Sequence, residues 1–437
     1  MINDKKVIRA WSMYDWANSV YSLVIISSIF PVYYESVTRI GDSDLVSFFG
    51  FKIINTVLYS YALSFSFLVV AFMLPLLTGI ADYSGKRMFF MKTFVYLGSF
   101  SCMGLFFFDG SNIEYGILLA IIASTSFSGS LVFYNSYLPQ IASLDRMDAV
   151  SAKGFSYGYA GSVILLVICL IIIQMPELFG IAPGGRAAQI SFVLVGLWWL
   201  GFAQITFNKM PVDIVGSTKK SNMLLNGYKE IRKVWVLLQE LPVTRKFLVS
   251  FFFYNTGVQT VMYMAAQFGS KALNLEGGEL ILTILIINVV AIVGAYLFAK
   301  LSIFKGNKFS IASMLIIWVL ICVAAFLVTS KMQFFILAFV VGLVMGGIQA
   351  LSRATYSKLI PATTSDYASF FSFYDVTYNV SIVVGTFAYG YIEYLTGSMR
   401  NSSLALGIFF FIGLAILLTL KLPASALGTT ATRNVNA

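Results

Sequence analysis

Windows of about twenty mainly apolar residues recur from one end of this 437-residue chain to the other, and they constrain its fold more than any other feature. A helix of about 20 such residues crosses the roughly 30 Å hydrocarbon core of a bilayer. Only 11% of the residues are charged, whereas a soluble domain carries about 25%. We therefore predict an all-α membrane protein whose spans lie at residues 10–34, 55–80, 88–108, 113–137, 151–175, 188–207, 247–268, 280–303, 309–329, 334–358, 370–394 and 402–421.

The basic residues orient these twelve spans. With the N-terminus in the cytoplasm, six of the 29 Lys and Arg residues lie in outer loops, and the rest lie at cytoplasmic segments. Such a bias is typical of membrane proteins, so the net charge of +10 needs no nucleic acid. We expect both termini to be cytoplasmic. The compact loops and the lack of an organellar sorting segment favour a bacterial inner membrane.

The residue types that serve catalysis are scarce. The chain has no histidine, and each of its three cysteines falls within an apolar window. No Walker-type glycine loop, metal-ligand cluster or Ser/His/Asp set is present. We predict neither an enzyme nor an ATP-driven pump, and we expect no cofactor and no metal.

One long polar connection divides the spans into two sets of six. We assign residues 1–207 to an N-terminal bundle, 208–246 to a cytoplasmic linker, and 247–437 to a C-terminal bundle with a short cytoplasmic tail. Within the linker, apolar residues recur at helical spacing, which predicts an amphipathic helix on the membrane surface; a plain charged linker is the alternative. These residues are Leu224, Tyr228, Ile231, Trp235 and Leu238.

The two halves also resemble each other in their loop residues. Gly85 and Pro139 lie 54 residues apart in the first half, and Gly306 and Pro361 lie 55 apart in the second. This spacing favours two pseudo-symmetric six-helix bundles, an arrangement that places a site at the midplane of transporters.

Polar residues share one face of the first span. Trp11, Asp15, Asn18 and Ser22 recur at helical spacing. Because an ionisable group in a span costs about 2.5–3.5 kcal/mol, this stripe faces either a wet cavity or a neighbouring helix.

The tenth and eleventh spans carry a second set of polar residues. Gly342, Gly346, Gln349 and Arg353 share one face of the tenth span, where glycines allow close approach of another backbone. Asp375 in the eleventh span is the predicted partner of Arg353, as a moving gate or as a static clamp.

Uncharged polar groups extend this set into two more spans. Asn255, Gln259 and Tyr263 form a stripe on the seventh span, and Tyr134 and Asn135 end the fourth. Amides and phenols recognise polar solutes without the desolvation penalty of ions. They serve equally well as contacts between helices.

The loop after the second span has a familiar pattern. Residues 79–87 read GIADYSGKR, which resembles the signature loop of the major facilitator superfamily. The resemblance implies that Asp82, Lys86 and Arg87 form a latch that holds the two bundles together on the cytoplasmic side.

Four further segments resemble one branch of that superfamily, the vacuole-effluxer-like proteins, whose fungal autophagy-related member exports amino acids from the vacuole. They read DWANS at 15–19, FYNSYLP at 133–139, GVQT at 257–260 and GIQALSR at 347–353. The chain departs from many relatives at Asn255-Thr256, where they carry an acidic residue, which leaves Asp15 or Asp375 as the protonatable group.

The resemblance implies a major facilitator fold and a transporter whose cavity is lined by spans 1, 4, 7 and 10. We expect a monomer that moves a small solute, such as an amino acid, with a proton or another cation as the coupling ion. A lipid flippase and a non-transporting receptor or scaffold are the alternatives. The expected solute contacts are Asp15, Asn18, Tyr134, Asn135, Asn255, Gln259, Tyr263, Gln349 and Arg353; the expected coupling or gating residues are Asp15, Asp82, Lys86, Arg87, Arg353 and Asp375.

Overall fold

Helices fill most of the chain in the computed structural model, which describes residues 2–39, 43–181, 185–211 and 223–421. The linker residues 212–222 and the expected tail 422–437 lie outside this description. The spans are Lys5–Thr38, Asn55–Ser84, Arg87–Gly104, Ile113–Asn135, Met147–Gln174, Arg186–Phe207, Pro242–Leu273, Gly277–Leu327 (spans 8 and 9 together), Lys331–Leu359, Tyr367–Thr396 and Met399–Leu418.

Most of these helices contain an apolar window that is long enough to span a bilayer. Within the described segments, nine are long and apolar enough to cross a membrane. The two others are Pro242–Leu273 and Tyr367–Thr396, which carry buried amide and carboxyl groups such as Asn255, Gln259 and Asp375. Polar side chains that face the protein interior lower the mean hydropathy of a span without exposing a polar group to lipid.

Spans 8 and 9 are two helices that meet at Gly306 with almost no loop between them. Gly306 has φ 81° and ψ 160° inside Gly277–Leu327, so the predicted loop is reduced to one non-helical residue. Only glycine adopts this left-handed conformation without strain. In the first half, Gly85 plays the corresponding part, with φ 64° at the end of span 2.

Span 1 contains an irregular segment that the periodicity did not indicate. The α-helix Lys5–Val20 continues as a π-helix over Tyr21–Ile29 and resumes over Phe30–Thr38. The Ser27 hydroxyl donates to the Ser22 carbonyl at 3.0 Å within this wider turn. Such segments are frequent at functional sites.

A short β-hairpin, also unforeseen, connects spans 1 and 2. Strand β1 (Leu45–Phe48) pairs antiparallel with β2 (Phe51–Ile54), and Leu45 lies opposite Ile54. The sequence prediction rested on apolar windows of about twenty residues, and a strand of four residues is too short to produce one.

The linker contains the helix that its periodicity predicted, at Met223–Gln239. Its buried side chains Val234 and Leu238 face the protein, while Tyr228 and Trp235 are half exposed. Gly227 lies so close to span 2 that a Cβ there would contact the Ile80 backbone nitrogen at 3.0 Å. The helix therefore packs on the N-terminal bundle and not only on a membrane surface. The side chain of Leu224, which the prediction included, lies outside the described residues.

Glycines bring several spans into backbone contact. A Cβ on Gly346 would overlap the Ala291 carbonyl of span 8, and one on Gly342 would lie 2.5 Å from the Ile287 carbonyl. Span 5 approaches span 1 in the same way, since a Cβ on Gly161 would lie 2.8 Å from the Trp16 carbonyl. The close-packing face predicted on span 10 is confirmed.

Gly346→Ala should lower the free energy of unfolding by about 1–3 kcal/mol, because the added methyl group has no room against the backbone of span 8. Gly390→Ala is the matched control: it lies in the helix Tyr367–Thr396, where an added Cβ would meet nothing within 4 Å, so we expect no loss. Denaturant unfolding of both purified variants measures the difference. Equal stability of the two would contradict the packing described.

Candidate functional site

A cavity of about 180 Å³ lies between the two bundles. It has room for on the order of ten water molecules. Spans 1, 4, 7 and 10 contribute to its wall, as expected, and so do spans 2, 5, 8 and 11 through residues such as Phe67, Tyr159, Asn288 and Tyr378.

The structure brings eight of the nine expected solute contacts to this one cavity. Tyr134 is the exception. It is fully buried behind the wall, where its ring stacks on Trp11 with centroids 4.5 Å apart and its hydroxyl donates to Asp15 Oδ2 at 2.7 Å. The eight lining residues are Asp15, Asn18, Asn135, Asn255, Gln259, Tyr263, Gln349 and Arg353.

A buried ion pair crosses the interface between the bundles at this cavity. Both terminal nitrogens of Arg353 lie 3.2 Å from Asp15 Oδ2, and the two side chains are 3% and 6% exposed. The pair forms because Gly154 on span 5 leaves space beside it: a Cβ there would lie 2.9 Å from Arg353 Nη2.

Every donor of the Arg353 guanidinium is occupied. Besides the two bonds to Asp15, Nε donates to the Ser151 hydroxyl at 2.9 Å, Nη2 to the Ser151 carbonyl at 3.0 Å, and Nη1 to Asn135 at 3.4 Å. A guanidinium has five N–H groups. The rings of Trp11 and Phe155 cover it at 4.7 and 4.1 Å, so the charge is stabilised on every side.

The predicted pairing of Arg353 with Asp375 is wrong. Arg353 bonds to Asp15 instead, and Asp375 makes no ion pair among the described residues. Helical spacing gives the face on which a residue lies but not its partner across a gap, and span 1 approaches Arg353 more closely than span 11 does. Asp375 is 6% exposed and lines the same cavity; its Oδ2 is buried without a hydrogen-bond partner.

Amide and phenol groups bond to each other around the rest of the wall. The Tyr159 hydroxyl donates to Gln349 at 2.8 Å across the interface, and that of Tyr378 donates to Gln259 at 3.1 Å. Asn255 donates to the Ser381 hydroxyl at 2.6 Å. Sequence reasoning missed Tyr159 and Tyr378, because tyrosine fits an apolar core as well as a cavity.

The signature loop closes one end of the interface. Asp82 accepts the Ser369 and Ala368 amides at 2.7 and 3.4 Å, at the first turn of the helix Tyr367–Thr396 in the other bundle. A carboxylate is stabilised at such an N-terminus. Arg87 lies over the Tyr137 ring at 5.2 Å and interacts electrostatically with Asp82 and with Tyr367 of the other bundle, whereas Lys86 is exposed.

A second buried network closes the same end, and sequence reasoning did not find it. Lys358 Nζ lies 2.7 Å from Asp148 Oδ2, and each side chain is 4% exposed. Asn307 donates to Asp148 at 2.8 Å and accepts from Lys358 at 3.0 Å, and Ser302 also donates to Asp148. The matching positions of Gly85 and Gly306 were the available signal, since Asp82 lies three residues before Gly85 and Asn307 directly follows Gly306.

The linker helix adds a third connection at this end. Lys233 Nζ bonds to Asp366 at 2.6 Å, and this bond raises the pKa of Lys233. Trp235 packs beside Phe373 with ring centroids 5.7 Å apart. The helix thus contacts span 2 in one bundle and span 11 in the other.

The fold is that of solved major facilitator transporters. The transporter FucP in its outward conformation superimposes with a TM-score of 0.70 over 96% of this chain and 98% of its own, at 12% identity. The proton:xylose symporter XylE gives a TM-score of 0.72 over 98% of both chains, at 11% identity. The predicted twelve-helix, two-bundle membrane fold is confirmed.

Residues 3–426 match the family described as "Vacuole effluxer Atg22 like", and the chain belongs to this family. It is 30% identical to the MFS-type transporter YxiO of Bacillus subtilis over 94% of this chain and 93% of that one. It is 24% identical to autophagy-related protein 22-1 of Penicillium rubens, over 91% of this chain and 81% of that one. The protein is therefore a multi-pass transporter of a small solute and not an enzyme, and the resemblance found in the sequence is confirmed.

Asp15→Asn should lower the free energy of unfolding by about 3–5 kcal/mol, because it leaves the Arg353 charge buried without its counter-ion. Glu393→Gln is the matched control, since Glu393 pairs with Lys271 at 3.4 Å on the exposed surface, and we expect a loss below about 1 kcal/mol. Denaturant unfolding in detergent measures both. A small effect of Asp15→Asn would show that the pair is not desolvated as described.

Proposed function

We propose that this protein is a secondary active transporter in which the two bundles, 1–207 and 247–437, rock about the central cavity while the linker 208–246 joins them. The observation that carries the proposal is the buried Asp15–Arg353 pair, which joins the bundles at the edge of the cavity. Such a contact exists in one arrangement of the bundles and is broken in the other, so it biases a two-state equilibrium.

The described conformation is closed at the end that carries the signature loop. Two carboxylates of the N-terminal bundle bond to the C-terminal bundle here: Asp82 to the Ser369 amide and Asp148 to Lys358. The linker residue Lys233 bonds to Asp366, just before span 11. We assign this end to the cytoplasm, with both termini there, on the basis of the basic residues in its loops. Opening this end breaks all of these bonds, and the cavity then faces the cytoplasm.

The solute proposed is an amino acid or a similar polar or zwitterionic metabolite. Three ionisable acids and bases line the cavity, Asp15, Arg353 and Asp375, among many amides and tyrosines. A small volume with a few convergent polar groups is typical of a small-metabolite site. The description of the matched family as a vacuole effluxer supports export of a solute.

We also propose that Asp82, Lys86 and Arg87 act in gating and that the protein works as a monomer in a bacterial inner membrane. The coupling ion is taken up by Asp15 or Asp375. Of these groups, Asp375 has the unpartnered carboxylate oxygen. A carboxylate without a partner in a low-dielectric site takes a proton more readily than a paired one.

Counterflow in proteoliposomes tests the solute class. Vesicles that contain the purified chain are loaded with unlabelled leucine, tyrosine or lysine, and uptake of the labelled amino acid is followed. We expect accumulation of at least one of them, and leaflet asymmetry of a head-group-labelled lipid should not change. Accumulation of none of a full set of amino acids would reject the amino-acid proposal.

Joining the two bundles covalently should stop transport. Ser151 donates to the Ala350 carbonyl at 2.8 Å across the interface, and Thr206 donates to the Ala10 carbonyl at 2.7 Å within one bundle. With cysteines at 151 and 350, a short crosslinker that contains a disulfide should reduce counterflow to background. A reductant that cleaves the disulfide should restore counterflow to the level of the same variant before crosslinking. Cysteines at 206 and 10 form the matched control and should leave counterflow intact. Transport through a fully crosslinked 151–350 pair would contradict the rocking motion.

A further inference from the structure

The charge of the cavity is not balanced. Arg353 neutralises Asp15 through two hydrogen bonds, and the remaining three N–H groups of its guanidinium are taken by Ser151 and Asn135. In this conformation Arg353 has no donor left for a carboxylate of the solute. The third ionisable group, Asp375, carries the cavity's uncompensated negative charge when it is ionised.

Asp375 lacks the partners that a buried carboxylate needs. Its Oδ2 is wholly enclosed and has no hydrogen-bond partner among the described residues, and the groups that act on the carboxyl from nearby are Arg353, which is already paired with Asp15, and the Asn135 side chain. The nearest amide on its own helix, Asn379, donates to the Asp375 backbone carbonyl instead, at 2.7 Å. A buried carboxylate left unpaired is strongly destabilising, so this site is complete only when a cation or a proton joins it.

The surroundings of Asp375 favour an organic cation over an inorganic one. Phe251, Tyr254, Tyr374 and Tyr378 line the same cavity, and the Phe251 and Tyr374 rings stack with centroids 4.3 Å apart. The Tyr254 and Tyr378 hydroxyls are engaged with Ser352 and Gln259, which leaves their rings to the solute. Aromatic faces attract ammonium groups, whereas a hard metal ion prefers several oxygen ligands, and Asp375 is the acidic residue available here.

We propose that the solute is recognised through an ammonium group that binds Asp375, and that a carboxylate on the solute is not required. The transported class is then organic amines, including amino acids held by their amino group. This inference rests on the proposed transport function and specifies its site. It assigns Arg353 to joining the bundles and not to holding the solute.

Probes that share one carbon skeleton and differ in charge test the inference. One set is 3-methylbutylamine, 4-methylpentanoate and 3-methylbutanol; a second is 2-phenylethylamine, 3-phenylpropanoate and 2-phenylethanol. Thermal unfolding of the purified full chain in detergent is measured with each, because a ligand that binds the native state raises the unfolding midpoint. We expect at least one of the two amines to raise it, and the acids and alcohols to have no effect.

Variants of Asp375 identify the group responsible. Asp375→Asn should weaken binding of the amine by about tenfold or more, while Asp375→Glu, which keeps the charge, should retain it. Glu393→Gln removes a carboxylate elsewhere on the same helix and should leave binding unchanged. The inference is overturned if an acid stabilises the protein as well as its matching amine, if folded Asp375→Asn binds the amine as before, or if neither amine stabilises it. The crosslinking experiment with cysteines at 151 and 350 tests transport and uses none of these amine probes. Its result therefore decides the transport proposal independently of the ammonium site.

Discussion

The arrangement of this transporter depends on one buried charge, the guanidinium of Arg353. An arginine cannot lose its proton in a protein, so a helix that carries it through a membrane must surround it with acceptors. Span 1 supplies Asp15, span 4 supplies Asn135, and span 5 supplies Ser151. All three spans belong to the N-terminal bundle, while Arg353 belongs to the C-terminal one. The requirement to neutralise one charge therefore holds the bundles in a defined register.

The same requirement explains the glycines around the pair. Span 5 must lie close enough for Ser151 to reach Arg353, and Gly154 and Gly158 leave the space that span 1 occupies. At the closed end, Asp82 accepts backbone amides at the start of span 11, and Asp148 pairs with Lys358 at the end of span 10. Because these contacts are polar, water can replace them when the bundles separate.

Much of this could be read from the sequence, because the bilayer excludes most alternatives. Asp15, Asn18, Gln349 and Arg353 could not face lipid, so helical spacing placed them on interior faces, and the family resemblance supplied the shared cavity that they line. The partner of Arg353 could not be read in this way, since Asp15 and Asp375 both lie on suitable faces and only the packing of spans 1 and 5 selects between them. Tyr159, the Asp148–Lys358 pair and the hairpin of β1 and β2 gave no periodic signal, because their roles arise from contacts between distant segments.

The accessibility of residue 349 reports whether the cavity is wet and whether the two bundles move. Gln349 lines the cavity, and the native Cys102, Cys169 and Cys322 are buried, so a cysteine at 349 can be labelled selectively in proteoliposomes with a membrane-impermeant maleimide applied to one side at a time. With the Asp15–Arg353 pair intact, we expect labelling from the side opposite the signature loop. With Asp15→Asn in addition, labelling from the signature-loop side should increase. Protection from both sides in both proteins would contradict a wet cavity between two moving bundles.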